Sequence, residues 1–465
     1  MHKKDRISIK PERQIIDDFA DLITKQKRPE AKPSKTIISF RNDEKDHVER
    51  DVFLIKSEYL RFRKENGRIF SDVASYEQNN GILEEKSSHS QEIIRGFIKE
   101  LDPQKNTEAY KSIQSVGQKE VAIITCDGFL INGNRRKLII DQLYEDTGDE
   151  KYKSLKVVVL PGKDDPGGAP TIEEIEEIEL RYQEHTDGKS EYTGLNQALS
   201  IRGKIDKGMT LDRIVRSNPK FSPYSPTEMK KGRNYYQKEY LGPLECVDDY
   251  LAMFGIPKLY NNISSGPGDP EGKWQSFYDY YSKVKLNLEN PKKRNAMFGI
   301  EEDQIGKVET VAFKIIRKRK FQGLKKSHQI IRELPKLIKN HESRKELYHF
   351  IDDDEDLEEE EKFDKEGIEL SPREQDLAWG QKNAELFQHR MKLALNNLSF
   401  ELTKGTPITL INSALSSLNK VDISNIGVGD YKTARELCTS IKADIDRIEK
   451  DIFDQSKKLK KLVSK

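Results

Sequence analysis

Hydrophobic positions in the first third of the chain fall into short patterns of different period. Ile15, Ile16, Phe19, Leu22 and Ile23 recur at helical spacing inside a polar, basic tail over residues 1–50. They predict one amphipathic helix, docked on this chain first and on a protein partner second. Val52-Phe53-Leu54-Ile55 is a four-residue apolar run of strand type. Val121–Thr125 and Phe129–Ile131 are two more, separated by Cys126-Asp127-Gly128, a hairpin signal because Asp-Gly accepts positive φ. Leu138, Ile139, Ile140 and Leu143 give the next segment, from Arg135 to Leu143, one apolar side. Val157–Leu160 predicts a further strand, closed by Pro161-Gly162, and residues 163–170 read as a loop. A mixed α/β domain over 51–165 follows from these runs.

Beyond residue 170 the periodicity is helical only. Thr171–Gln183, Leu195–Lys207, Thr210–Ser217 and Thr227–Leu241 place a helical domain at 171–262, and Ser264–Pro270 marks a break. A basic helical region follows at 271–350, an acidic linker at 351–370 and a helical C-terminal region at 371–465. In that last region Ile441, Ile445, Ile448, Ile452, Leu459 and Leu462 alternate at four and three residues around Gln455. This predicts a coiled-coil seam of about three heptads and a homodimer formed through it, or a site for another protein partner.

Composition narrows the class. The 465 residues are 35% hydrophobic and 35% charged, with a mean hydropathy of -0.80. Such a chain predicts several surface-rich helical parts rather than one thick core. No run approaches a membrane span, and Cys126, Cys246 and Cys438 are too few and too scattered for a disulfide framework. The expectation is a cytoplasmic, nucleoid-associated protein. Net charge is +1, but its distribution is uneven. Val311–Lys345 holds twelve Lys/Arg against two Glu, and Asp352–Glu366 holds eleven Asp/Glu against two Lys. The acidic run predicts an exposed, disordered connector, or a segment that folds back on the basic residues.

The densest chemistry lies at Ile131-Asn132-Gly133-Asn134-Arg135-Arg136. A strand must end and a helix begin here. Gly133 permits the tight turn and close approach of a ligand, and Asn134 is placed to cap the helix. The N–H groups of the first turn form an anion site with the helix dipole. Two guanidinium forks at the same end match phosphate oxygens. On these residues alone, a phosphate cradle and a solvated surface turn stand equal.

Ser115-Val116-Gly117-Gln118, a strand, Asp127-Gly128, a second strand and Gly133-Asn134-Arg135-Arg136 together resemble the ParB/sulfiredoxin superfamily. The serial order also matches: strand, helical stretch, Gly-Gln turn, hairpin, arginine helix, then an all-helical DNA-binding segment. The resemblance covers roughly residues 50–245. It implies an α+β fold, a ParB/sulfiredoxin-like domain followed by mostly helical regions. It further implies a pocket for a nucleoside triphosphate, typically CTP, with Gly117 and Gln118 lining it and Gly133, Asn134, Arg135 and Arg136 at the phosphates. Asn134 stands where ParB-type members carry glutamate and sulfiredoxins cysteine, which removes support for reductase chemistry. Glu179-Leu180-Arg181-Tyr182-Gln183 is a loose counterpart of the family's Glu-Asn-x-Gln-Arg motif. It makes Glu179 the candidate catalytic residue and Glu179 with Gln183 the candidate Mg2+ ligands; an ordinary charged helix fits them equally well.

For double-stranded DNA, Thr210–Ser217 and Thr227–Leu241 resemble a helix-turn-helix with a long turn. Its second helix carries Lys230, Lys231, Arg233 and Lys238 beside Asn234, Tyr235 and Tyr236. The basic block adds Arg317, Lys318, Arg319 and Lys320. Two alternatives accompany the nucleotide-responsive DNA binder. One is a metal-dependent nuclease or phosphodiesterase, whose carboxylates would come from Glu173, Glu174, Glu176, Glu177 and Glu179, residues that read rather as a solvated helix start. The other is an adaptor in a plasmid, phage or defence complex. Whether the chain is an enzyme stays open at this level.

Overall fold

The computed structural model describes residues 13–29, 34–41, 43–184, 193–218, 220–221, 224–263, 272–404, 407–422 and 426–463. They form a mixed α+β fold, mostly helical, in two compact units, residues 1–398 and 399–465. The first unit therefore runs through the expected limits near 165, 262 and 351–370. The predicted break at Ser264–Pro270 lies outside the described residues.

The unit opens with α1 (Asp17–Gln26), β1 (Arg28–Pro29), β2 (Lys35–Thr36), a single turn α2 (Asp43–Asp46), β3 (Arg50–Asp51) and β4 (Phe53–Lys56). Three helices follow, α3 (Phe70–Asn80), α4 (Ser88–Leu101) and α5 (Pro103–Val116). Then come β5 (Ala122–Ile124), β6 (Leu130–Asn132), α6 (Asn134–Thr147) and β7 (Ser154–Val159). The larger sheet has the order β1-β4-β7-β5-β6, with β5 and β7 parallel and its other neighbours antiparallel. The small β2-β3 pair stands apart.

Both faces of the larger sheet are covered, which explains why its strands read as unbroken apolar runs. Successive side chains point to opposite faces. Ala122, Ile124, Leu130, Leu155 and Val157 therefore enter one core with residues of α4 and α6. Ile123, Ile131 and Val158 enter another with Phe40, Ile175 and Ile178.

The Asp-Gly hairpin forms as the sequence predicts, with only Gly128 at positive φ (84°). Asp127 instead turns inward, fully buried. Its carboxylate receives Arg13 Nη1 at 2.7 and 2.9 Å, Ile16 N–H at 3.1 Å and Thr125 Oγ1 at 2.6 Å. This pins α1 to the chain's own hairpin, where Ile23 is buried and Arg61 stacks 3.5 Å over Phe19.

The helical part comprises α7 (Ile172–Glu184), α8 (Gly194–Asp206), α9 (Leu211–Ser217), α10 (Pro226–Tyr236) and α11 (Gly242–Met253). It continues with α12 (Trp274–Asp279), α13 (Leu286–Leu288), α14 (Pro291–Phe298), α15 (Ile305–Lys318), α16 (Ser327–Lys339), α17 (His341–Asp352), α18 (Pro372–Lys382) and α19 (Ala384–Lys404). One large apolar core joins α8 to α19, with Trp274 and Trp379 inside it. The acidic run is ordered, against expectation. Asp354 meets Lys314 at 2.6 Å, Glu361 meets Lys382 at 2.8 Å, and the Glu355 N–H donates to Asn383 Oδ1. The segment has folded back onto lysines of α15 and α18, which offset its charge.

The second unit contains α20 (Pro407–Leu418) and α21 (Tyr431–Val463). Ile441, Ile445, Ile448 and Ile452 of the predicted seam are exposed on α21; the side chains of Leu459 and Leu462 lie outside the described residues. No described helix is long and apolar enough to cross a membrane.

The Asp127 knot gives a direct test. Asp127→Ala leaves a buried cation and an N–H without their acceptor, and is expected to cost about 3 kcal/mol of unfolding free energy. Urea denaturation measures it; an unchanged midpoint would mean that α1 docks without this carboxylate.

Candidate functional site

Strand β6 gives way to α6 within one residue. Gly133 is the N-cap, held at φ 106°, ψ 11°. A Cβ there would sit 2.5 Å from Ala122 Cβ on the neighbouring strand. Glycine is thus required by handedness and by packing against β5, a reason the sequence alone did not disclose. Asn134 is the first helical residue rather than the cap. Its Oδ1 is buried with no hydrogen-bond partner. The first-turn N–H groups of this 14-residue helix and its dipole face the same side.

A cavity of about 400 Å³ opens at this point. Gly117, Gln118, Gly133, Asn134, Arg135 and Arg136 all line it, as does Glu179. The structure adds residues the sequence reading did not place: Asn66 and Arg68 from the basic stretch after β4, Lys105 from α5, and Glu120 and Tyr182. The Asn-Gly pair ahead of Arg68 was the available signal for that loop.

Each arginine is oriented from behind. Arg135 Nε donates to the buried Asn106 Oδ1 at 2.9 Å, and Asn106 Nδ2 is itself anchored on Lys99 O. Arg136 donates to Val121 O at 2.8 Å and to the Glu120 carboxylate. Burial lowers the pKa of Arg135, and the Arg68 charge lowers it further. Burial also lowers that of Arg136, against the pull of Glu120. Both guanidiniums stay charged at cellular pH, so their lowered values report a positive, poorly solvated site.

Gln118 lines the cavity and also pairs with the neighbouring strand. Its Oε1 accepts Lys156 N–H, and its Nε2 donates to Lys156 O and Glu120 O, each at 2.8 Å. The amide pairs with β7 as a strand would, and holds the turn after Gly117, whose φ is 74°.

Glu179 is held by its own partners. Its Oε1 accepts Gly67 N–H at 2.9 Å, and Arg63 Nη1 stands 3.6 Å from Oε2. One turn earlier, Glu176 receives Arg63 at 3.2 Å, Lys204 at 3.3 Å and Lys207 at 2.9 Å. Glu173 and Glu177 pair with Arg213, and Glu174 with Arg41. The acidic start of α7 is therefore not a solvated face. Each of these carboxylates meets a cation, and Glu176 and Glu179 are buried. Among the described residues no three His, Cys, Asp or Glu side chains converge on a metal position. Arg63 already stands beside the Glu179 carboxylate, and the side chain of Gln183 lies outside the described residues. Glu179 positions the loop: it fixes Gly67 N–H while Asn196 Nδ2 holds Arg68 O at 2.8 Å.

The helix pair expected to meet DNA also forms. α9 and α10 cross at Gly232, where a Cβ would meet Val215 Cγ1 at 2.3 Å. Lys230, Lys231, Asn234 and Lys238 are exposed. Lys231 pairs with Glu228 and Arg233 with Asp212, both at 2.8 Å. Tyr236 is core, with its hydroxyl receiving Asn218 Nδ2, and Tyr235 packs on Phe221 and Tyr240. Tyr236 is thus withdrawn from the surface, whereas Tyr235 is half-buried. In the basic block Arg317 turns inward: it pairs with Asp376 at 2.8 Å and stacks on Phe254 and Trp379. Lys318, Arg319 and Lys320 follow it around a sharp turn.

Burial alone would push the pKa of Glu176 up, yet Lys204, Arg63 and Lys207 hold it at about 2. The stability drawn from that charge is present above its ordinary value of 4.5 and is lost as pH falls toward 2. Glu176→Gln is therefore expected to cost about 3 kcal/mol at pH 7. In denaturant titrations this deficit should shrink across the same acid window; a pH-independent deficit overturns the assignment. Against known proteins, no family model, curated protein or solved structure matches this chain.

Proposed function

We propose that the chain is a ParB-like, DNA-associated protein whose Arg135–Arg136 cavity binds the phosphate groups of a nucleotide, CTP being the candidate the sequence resemblance implies. One observation carries the reading. Arg68, Arg135 and Arg136 meet the N-terminus of α6 in a single cavity of about 400 Å³, a size suited to a small ligand. The polar lining divides by chemistry. Guanidinium and helix N–H donors suit phosphate oxygens, while the unmatched acceptor Asn134 Oδ1 suits a ribose hydroxyl or an exocyclic amine. Glu120 is exposed and pairs with Arg136, so an incoming phosphate would take over a partner already at the surface.

The committed carboxylates of α7 weigh against the nuclease reading, and no hydrolytic step is assigned to Glu179. Exposed lysines on α10 support contact with double-stranded DNA. The exposed isoleucine stripe of α21 supports a homodimer through that helix, or a protein partner there as an adaptor would need.

Binding of labelled CTP, ATP, GTP and UTP, with and without DNA and Mg2+, tests the reading. Arg135→Ala/Arg136→Ala is expected to weaken nucleotide binding by about 100-fold, the loss of two charge-assisted contacts. Unchanged affinity in a folded variant would sink the proposal. For DNA, the triple change Lys230→Ala/Lys231→Ala/Lys238→Ala should flatten the slope of log affinity against log salt by about three units. A retained slope removes these three lysines from the interface.

A further inference from the structure

Helix α21 runs for 33 residues, Tyr431–Val463, and so spans about 50 Å. Ile441, Ile445, Ile448 and Ile452 are 38–53% exposed on it, and Cys438 and Gln455 are exposed as well. These six positions follow one another at intervals of three and four, so they form one stripe along the helix. Helix α20 of the same unit has 12 residues, about 18 Å of length. It leaves the stripe uncovered, and its own Ile408, Ile411, Leu415 and Leu418 are exposed too.

The spacing assigns the layers. Cys438, Ile445 and Ile452 take the first core position of the heptad, and Ile441, Ile448 and Gln455 take the second. Leu459 and Leu462 continue the order in the sequence. A two-stranded parallel coil prefers β-branched residues at the first position and leucine at the second. Isoleucine at both moves the preference to a higher strand number, three before four. On α21 isoleucine fills two first positions, 445 and 452, and two second positions, 441 and 448. Gln455 sets the direction. Its amide carries both donor and acceptor, so like pairs with like when strands run in register. An antiparallel partner centred between Ile445 and Ile448 would set Gln455 against Cys438 instead.

We propose that α21 is a three-stranded interface, in which three copies of the chain pack in parallel and in register along residues 438–455. It rests on the reading above that copies of the chain meet along α21, and adds their number and direction. A closed ring of three identical subunits has a three-fold axis, which makes its strands run the same way. The Cys438 thiols then share one layer and the Gln455 amides another. At the edge of the seam each Asp444 faces Glu449 of an adjacent strand, a like-charge contact that mildly opposes assembly.

Sedimentation equilibrium of the full-length chain is expected to give three times its 53.8 kDa mass. Ile441→Leu/Ile448→Leu keeps the volume of two exposed side chains and should move the assembly to two copies. Glu449→Lys should lower the protein concentration of half-dissociation about tenfold, because Asp444 then meets a cation on the adjacent strand. In the antiparallel arrangement the new lysine would meet Lys442 and weaken association. Diamide takes two hydrogens from a pair of thiols, so each trimer should yield one disulfide-linked pair and one unlinked chain. Cys438→Ser should abolish the link. A mass of two chains overturns the strand number and keeps the homodimer, whereas a mass of one overturns both readings. A trimer indifferent to the leucine swap, or weakened by Glu449→Lys, overturns the seam as its cause.

Discussion

Two carboxylates on one face of α7 hold the first unit's functional geometry together. Glu176 gathers Arg63, Lys204 and Lys207, and Glu179 holds the Gly67 N–H beside Arg63. These contacts join three stretches that share no local sequence: the loop after β4, α7 and α8. Buried charges are tolerated only when paired and hydrogen-bonded, so the cluster is a strong constraint on how the loop can run. Arg68 reaches the cavity because its backbone is fixed on both sides, by Glu179 before it and Asn196 after it. The mouth of α6 contributes helix N–H groups, but Arg68 arrives only through this internal electrostatic brace.

The same principle organises the rest of the helical part. Asp376 joins α18 to α15 through Arg317 and to Lys273 at the start of α12. Lys314 and Lys382 tie down the acidic segment that follows α17. A chain with 81 basic and 80 acidic residues has thus used part of its charge inside the fold, and its near-zero net charge hides a structured internal distribution. Lys230 and Lys231 of α10 are among the charges that stay exposed.

Much of this was legible beforehand, and the boundary has physical causes. The hairpin, a strand at 157–160 (found at 154–159) and the arginine helix were readable because apolar runs closed by glycine turns have few alternatives. Six residues named from the loop and the Gly-Gln turn share one cavity for the same reason. Short-range geometry dictates their neighbourhood. Roles were harder. Gln118 lines the pocket and also pairs with Lys156 as a strand would, and Glu179 lines it while bracing the loop at Gly67. Both depend on partners 38 and 112 residues away, which no local pattern encodes. Arg317 and Tyr236 show the converse. A cationic run and an aromatic pair look like surface chemistry until packing turns one member of each inward. The acidic run misled because composition predicts disorder only when nearby counter-charge is ignored.

Residues 13–16 have a standing out of proportion to their number. The hairpin turn at Asp127 is electrically incomplete without an arginine 114 positions earlier. Loop closure over that distance carries an entropic cost that grows slowly with length, and contacts of such separation slow folding. The β5–β6 ribbon, and with it the glycine hinge from which α6 departs, is therefore tied in the native state to a segment far away in the chain. The anion cradle is long-range in the same sense, because Arg68, Lys105, Glu179 and Tyr182 join residues 133–136 there from distant parts of the chain.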